Sequence, residues 1–363
     1  MVVAERRSTA WLVLATLGFM GGCISMPQPA ELRNSVAAYP GGPVPAAQDG
    51  RVRFREIFCH LVAASGEQSS EAANCDALLW VLKDEPAPSS GPVVVPDLAA
   101  DLRIFVVSGA FGDCRGIDTI PYGNEIQHFA SQGVKIQAVV VSGRSSTERN
   151  ARQLAAAIET SGIEPGDRIM LVGYSKGAVD ILQFLADFPL LAQQVVSVVS
   201  VAGAIYGSPL ATRADWWYRT LFAESFSGMC DPGDGQVISS LLPETRRRWL
   251  DEHPLPTHVS YFSLAAFTTG EHLSHGLNAT WRMLAEHDRR NDGQLVIGDA
   301  VIPGATLLGY VNADHWDIAI PIERQMPHLS ARKSARQFPR PALLEAMLRY
   351  VSESLQFPAQ PIS

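Results

Sequence analysis

Apolar residues in this chain gather in short unbroken runs. Six of them lie beyond residue 100: "LRIFVVSG" (102–109), "VKIQAVVV" (134–141), "DRIMLVG" (167–173), "VVSVVSVAG" (195–203), "HVSYFSLAAF" (258–267) and "TLLGYV" (306–311). They are rich in β-branched residues and mostly lack the strict apolar–polar alternation of a strand wetted on one face. Strands covered on both faces are predicted. Between them lie stretches of helical spacing, such as "STERNARQLAAAIETSG" (146–162), where Ser146, Thr147 or Asn150 can cap the start. Strand alternating with helix predicts an α/β fold, a mostly parallel central sheet with helices on both faces.

The ends of the chain follow other patterns. Arg6-Arg7 precede the apolar run "TAWLVLATLGFM" (9–20), the length of a signal-peptide core and short for a bilayer span. The run ends in "MGGCIS", which resembles a bacterial lipoprotein signal, so cleavage before Cys23 and its lipidation are expected. Residues 1–22 then read as signal peptide and 23–50, rich in Pro, Ala and Gly, as a tether. "RVRFREIFCHLVAA" (51–64) and "SEAANCDALLWVL" (70–82) both carry helical periodicity, predicting an N-terminal helical hairpin with a lead-in up to residue 100. A main domain over 101–352 and a tail over 353–363 complete the expected organisation.

Composition narrows the partners. The chain has 363 residues, 47% of them hydrophobic, and a net charge of −8, a balance that argues against nucleic acid. The one run of like charge, Arg246-Arg247-Arg248, reads as a solvated helix face. No cysteine pairs stand at metal-ligand spacing, so neither a metal nor an organic cofactor is expected. Of five cysteines, four remain when Cys23 is set aside, an even number that suits disulfides in an exported chain. Cys59 and Cys75 are placed to staple the helical hairpin. The expected location is the cell envelope, the periplasmic face of a bacterial membrane, reached through a lipid anchor.

Candidate chemistry lies in "DRIMLVGYSKGAVDIL" (167–182), where Gly173-Tyr174-Ser175-Lys176-Gly177 joins the end of an apolar strand to a helix. A serine on so sharp a turn needs neighbours without bulk, which Gly173 and Gly177 supply. The turn projects Oγ outward and leaves the Lys176 N–H pointing at the same space. With three further stretches the pattern resembles the α/β-hydrolase superfamily, in its bacterial lipase and esterase branch, from about residue 102 to 350. "VVSGAFGDC" is similar to the first strand and oxyanion loop, with Ser108-Gly109 where lipases commonly place His-Gly. "NDGQLV" resembles the loop of the catalytic acid and "NADHWDIAI" that of the catalytic histidine. "VAGAIYGSPLA" resembles the Gly-Ser-Pro turn after the next strand.

The resemblance implies an α/β-hydrolase fold with a cap insertion and a serine hydrolase acting on a carboxylic ester, of a lipid or another acyl compound. Its triad runs in the order Ser, acid, His. Among the histidines after Ser175, only His315 follows the last strand signal by a few residues. Asp288, Asp292 and Asp299 compete as the acid. Asp292 is chosen because Asn-Asp-Gly can aim a short carboxylate; Asp314 and Asp317 read as loop-structuring. The oxyanion donors expected are the N–H groups of Lys176 and Ala110, with Phe111 next in line. The stretch 211–255 interrupts the alternation with Trp216, Trp217, Tyr218, Leu221, Phe222 and Phe226 and reads as the cap. The fold implies that Cys114 and Cys230 meet near the site, so a Cys114–Cys230 bridge is expected beside Cys59–Cys75. An acyltransferase or thioesterase using the same triad, and an idle hydrolase fold serving as a binding lipoprotein, are the alternatives.

Overall fold

The computed structural model describes residues 48–65, 75–82, 85–87, 92–113, 119–213, 231–270, 272–325 and 338–356. The strands are β1 (Gln48–Asp49), β2 (Leu102–Val107), β3 (Ile136–Val139), β4 (Arg168–Tyr174), β5 (Val195–Val201), β6 (Ser260–Ala266) and β7 (Thr306–Val311). They form one sheet in the order β1-β7-β6-β5-β4-β2-β3, and every neighbouring pair is parallel. Each of the six apolar runs read from the sequence is one of β2 to β7. The longer helices are α1 (Arg51–Ala64), α2 (Gly123–Ser131), α3 (Thr147–Glu159), α4 (Lys176–Asp187), α5 (Pro243–Glu252), α6 (Asn278–Ala285) and α7 (Arg340–Gln356).

The unbroken apolar runs follow from the two covered faces. Successive side chains on a strand point to opposite sides. Ile104 and Val106 of β2, with Met170 and Val172 of β4, meet α1, α2 and α7 through Phe54, Phe58, Phe129 and Leu344. Phe105 and Val107, with Ile169 and Leu171, meet α3 and α4 through Leu154, Ile158 and Ile181. A polar residue at any of these positions would be buried without a partner. Of the three capping candidates Ser146 is the one used: its Oγ accepts the Arg149 N–H at 3.3 Å.

Several boundaries differ from expectation. Gln48 and Asp49, expected in the tether, pair with the start of β7 as the edge strand, and Asp49 accepts the Arg51 N–H at 3.1 Å. Of the described residues of the hairpin's second arm, Cys75–Leu78 are helical. Beyond it Leu79 bridges antiparallel to Val311, and the Trp80 N–H donates to Tyr310 O at 2.9 Å. An extended course lets both Leu79 and Trp80 be buried and gives the end of β7 a backbone partner, which a continued helix could not do. Cys59 and Cys75 are joined by a disulfide, with Cα atoms 5.4 Å apart. At the far end α7 runs to Gln356, past the expected start of the tail.

The arginine run is a second correction. Arg247 and Arg248 are exposed, but Arg246 is only 1% exposed. Pro243 at the first position of α5 sets the phase, and Arg246 and Trp249, three apart, both face inward. The Arg246 guanidinium lies 4.7 Å from the centre of the Trp249 ring, and its Nε donates to Ile205 O at 3.3 Å. Burial pulls it down to about 10, so it stays charged at neutral pH. From Leu241 to Leu255 the supposed cap packs with Ile205 and Val259 in the helical layer and is no roof. The aromatic stretch 214–230, with Cys230, and also Cys114, lies outside the described residues.

The disulfide closes a short loop, so its entropic effect on the unfolded chain is about 3 kcal/mol. Cys59→Ser is expected to lower the unfolding free energy by roughly that amount, measured by urea denaturation of oxidised protein. A loss below about 0.5 kcal/mol would show that α1 is held by its packing on the sheet and α7 without help from the disulfide.

Candidate active site

The parallel strands all end at one edge of the sheet, where the loops following β2, β6 and β7 meet the sharp turn from β4 into α4. β4 passes into α4 with no loop between them. Ser175 takes the whole reversal at φ 54° and ψ −124°, a conformation that costs a non-glycine residue of order 1 kcal/mol or more. Its neighbours hold it there. The Ser175 N–H donates to Val201 O at 3.0 Å, and Ser175 O accepts the Ala204 N–H at 3.2 Å. A Cβ on Gly173 would lie 2.5 Å from Ala178 Cα, and one on Gly177 would lie 2.5 Å from Ser108 O. The first glycine brings helix to strand, as read from the sequence. The second brings the helix against the end of β2.

Ser175 Oγ stands 2.9 Å from His315 Nε2, and His315 Nδ1 stands 2.7 Å from Asp292 Oδ2. All three side chains are buried or nearly so, with Ser175 the most accessible at 9%. A carboxylate at Asp292 accepts from Nδ1–H, which leaves Nε2 free to accept the serine proton. Asp292 Oδ1 accepts two backbone N–H groups, from Gln294 at 2.8 Å and Leu295 at 2.7 Å. Hydrogen bonds on both oxygens offset the burial of the charge. The Asn-Asp-Gly turn produces them, with Gly293 at φ 93°. The two loops are also tied through the backbone, since the His315 N–H donates to Asp292 O at 2.8 Å.

The competing acids sit elsewhere. Asp288 pairs with Arg290 at 2.8 Å just past α6. Asp299 lies in the short helical turn Ile297–Ala300. Asp314 structures the histidine loop: its oxygens accept N–H groups from Ser274 at 2.6 Å, Trp316 at 3.0 Å and Asp317 at 2.9 Å. Burial raises its carboxyl above the ordinary range. Asp317 accepts from Arg340 at 3.1 Å, fastening that loop to the start of α7.

The loop after β2 lies over the serine, for a Cβ on Gly109 would stand 2.9 Å from Ser175 Cβ. Phe111, at φ 61°, donates its N–H to Gly143 O at 3.1 Å. Within the described residues no hydrogen bond engages the N–H of Ala110 or of Lys176. Both N–H groups expected as oxyanion donors are thus unengaged among the described residues. The Lys176 ammonium points away from the serine, buried against Asp180. Tyr174 escaped the sequence reading. Its hydroxyl donates to His315 O at 2.5 Å, and burial raises the phenol so that it stays a donor. A tyrosine beside the nucleophile carried the only signal. Among the described residues no group of His, Cys, Asp or Glu is placed to hold a metal ion, and no helix is long and apolar enough to cross a membrane.

The chain is similar to the solved structure of a metagenomic carboxyl esterase, at 37% identity over 90% of this chain and 98% of that one, with a TM-score of 0.77. EstA from Clostridium botulinum shares the fold at 14% identity, over 82% of this chain and 98% of that one, with a TM-score of 0.51. So does the lipase BlEst2 from Bacillus licheniformis in its propeptide form, at 22% identity over 68% and 54% of the two chains, with a TM-score of 0.50. No family model and no curated protein matches the chain.

Asp314→Ala removes the acceptor of three backbone N–H groups at once. It is expected to lower the unfolding free energy by about 3 kcal/mol in a urea titration. A change within about 0.5 kcal/mol would mean that the histidine loop does not depend on Asp314 for its shape.

Proposed function

The chain belongs to the α/β-hydrolase superfamily as an ester hydrolase, and on that premise we propose that Ser175, His315 and Asp292 cleave a carboxylic ester through an acyl-enzyme. The observation that carries this reading is the unbroken hydrogen-bond line from Ser175 Oγ through the His315 ring to the Asp292 carboxylate, with steps of 2.9 and 2.7 Å. His315 Nε2 takes the serine proton as Oγ attacks the ester carbonyl carbon. The carbonyl oxygen gains the negative charge and is met by the N–H groups of Ala110 and Lys176. When the C–O bond breaks, His315 returns the proton to the departing alcohol. Water then repeats the sequence on the acyl-serine, releasing the carboxylic acid and restoring Ser175. Asp292 holds the histidine in one tautomer throughout and stabilises its charged form. The substrate class is a lipid or other acyl ester; the likeness to a carboxyl esterase supports the ester, and the aromatic and leucine residues between Trp216 and Phe226 of the sequence support the acyl chain.

Export with lipidation at Cys23, and a Cys114–Cys230 bridge, complete the proposal. The motif "MGGCIS" after an apolar run supports the first, and the even set of four remaining cysteines supports the second.

Ser175→Ala is expected to abolish hydrolysis of p-nitrophenyl esters and labelling by a fluorophosphonate while the melting temperature holds. Asp292→Asn is expected to lower kcat by about 10³ to 10⁴, as loss of an orienting carboxylate does in other triads, and Asp288→Asn to be nearly silent. Turnover surviving in Ser175→Ala would sink the mechanism. Mass mapping of non-reduced protein from the membrane fraction is expected to find acylated Cys23 and a linked Cys114–Cys230 peptide. An unmodified Cys23 peptide refutes the anchor, and free Cys114 and Cys230 refute the bridge.

A further inference from the structure

Lys176 follows the nucleophile directly, yet its ammonium is buried to 0% exposure and donates to Asp180 Oδ1 at 2.5 Å. A buried ion pair is a poor source of stability, because removing both charges from water offsets most of their attraction. This one is also oriented against its helix. Lys176 opens α4, where the dipole disfavours a cation, and Asp180 lies one turn downstream. Neither helix stability nor packing accounts for it, since an apolar pair of similar volume would fill the same space.

The pair does not end at Asp180. Asp180 Oδ2 accepts the Asn150 side-chain N–H at 2.8 Å, and the same amide nitrogen donates to Ser142 O at 3.0 Å. Asn150, on α3, is fully buried. Ser142 and its neighbours form the loop after β3, and that loop grips the loop over the serine at two points. The Val141 N–H donates to Ser108 Oγ at 3.1 Å, and Gly143 O accepts the Phe111 N–H at 3.1 Å. Contact is close enough that a Cβ on Gly143 would fall 2.3 Å from Phe111 N. A continuous polar path thus runs from Lys176 to the residues on either side of Ala110. The two proposed oxyanion donors come from different elements, β4–α4 and the loop after β2, and this path braces one against the other. Arg246 adds a second positive charge facing Asp180 from α5.

We propose that Lys176, Asp180 and Asn150 are positioning residues, whose buried network fixes the separation of the Ala110 and Lys176 N–H groups around the oxyanion. The proposal rests on the ester-hydrolase reading given above. None of the three side chains touches the reacting atoms. They act through the backbone, and a donor displaced by a fraction of an ångström loses more affinity for the transition state than for the ground state.

The test uses two variants of the full chain. Asn150→Leu deletes both amide hydrogen bonds while keeping the branched heavy-atom skeleton of the side chain. Lys176→Met/Asp180→Leu removes the charges together, so that neither ion is left unpaired, and serves if the first variant folds poorly. In either variant kcat for a p-nitrophenyl ester is expected to fall by about 10- to 100-fold, short of the 10²–10³ for deleting a donor outright. KM should stay within about threefold, and affinity for a phenylboronic acid, which mimics the tetrahedral adduct, should fall by the same factor as kcat. A role in packing alone would shift the melting temperature and leave these ratios unchanged. Folded variants with wild-type kcat and boronate affinity overturn the proposal. So does failure of both to fold, because the network is then a folding determinant. Failure of the underlying reading shows separately, as ester turnover that survives in Ser175→Ala.

Discussion

Ser175 is forced to positive φ because β4 and α4 meet with no residue to spare between them. Release of that residue to an ordinary conformation would swing α4 off the sheet, and with it the layer that Leu154, Ile158 and Ile181 build. The strain is therefore local, while the forces that hold it are spread over a large apolar contact. A single disfavoured residue costs of order 1–3 kcal/mol, and one well-buried Leu or Ile side chain stabilises by about as much. The core can hold the elbow with little of its total, and the elbow sets where His315 and Asp292 must come to meet the serine.

Once the serine is fixed, the histidine and the carboxylate have to be delivered to it from loops, the least rigid parts of a fold. Backbone hydrogen bonds solve this. His315 is gripped at both its amide groups, N–H to Asp292 O and O from the Tyr174 hydroxyl, before its ring makes any contact. Asp314 folds the same loop from the other side, and Arg340 clamps Asp317 and Ile320 to the start of α7. The acid loop likewise closes on its own carboxylate through Gln294 and Leu295. Ring orientation and tautomer then follow from the loop shapes and need no further selection.

Much of this was legible in the sequence, for identifiable reasons. Strands buried on both faces leave unbroken apolar runs, and all six were visible. A glycine-flanked serine at a strand end and an Asn-Asp-Gly turn carry their geometry in their residue types, so Ser175 and Asp292 stood out. Position after the last strand singled out His315. What escaped depended on phase or on distant partners. Nothing in "TRRRWL" says which arginine faces inward until Pro243 fixes the start of α5. Leu79 and Trp80 fit a helix as well as an extended course, and only the open end of β7 decides between them. The brace from Lys176 to Ser142 joins three segments through single hydrogen bonds, a kind of order that leaves no periodic trace.

The placing of β1 has a practical consequence. Gln48 pairs with Thr306, the first residue of β7, so the chain joins the sheet at the edge where strands begin. Ser175 and His315 follow the ends of β4 and β7, about 20 Å away at strand rise. The molecule thus has two poles, one where the chain enters the sheet and one where Ser175 and His315 stand. Immobilised on a bead or an electrode through the segment ahead of Gln48, it would be held by the pole remote from the serine. The other pole would face the bulk liquid, and the support itself would not shade the path of an incoming ester.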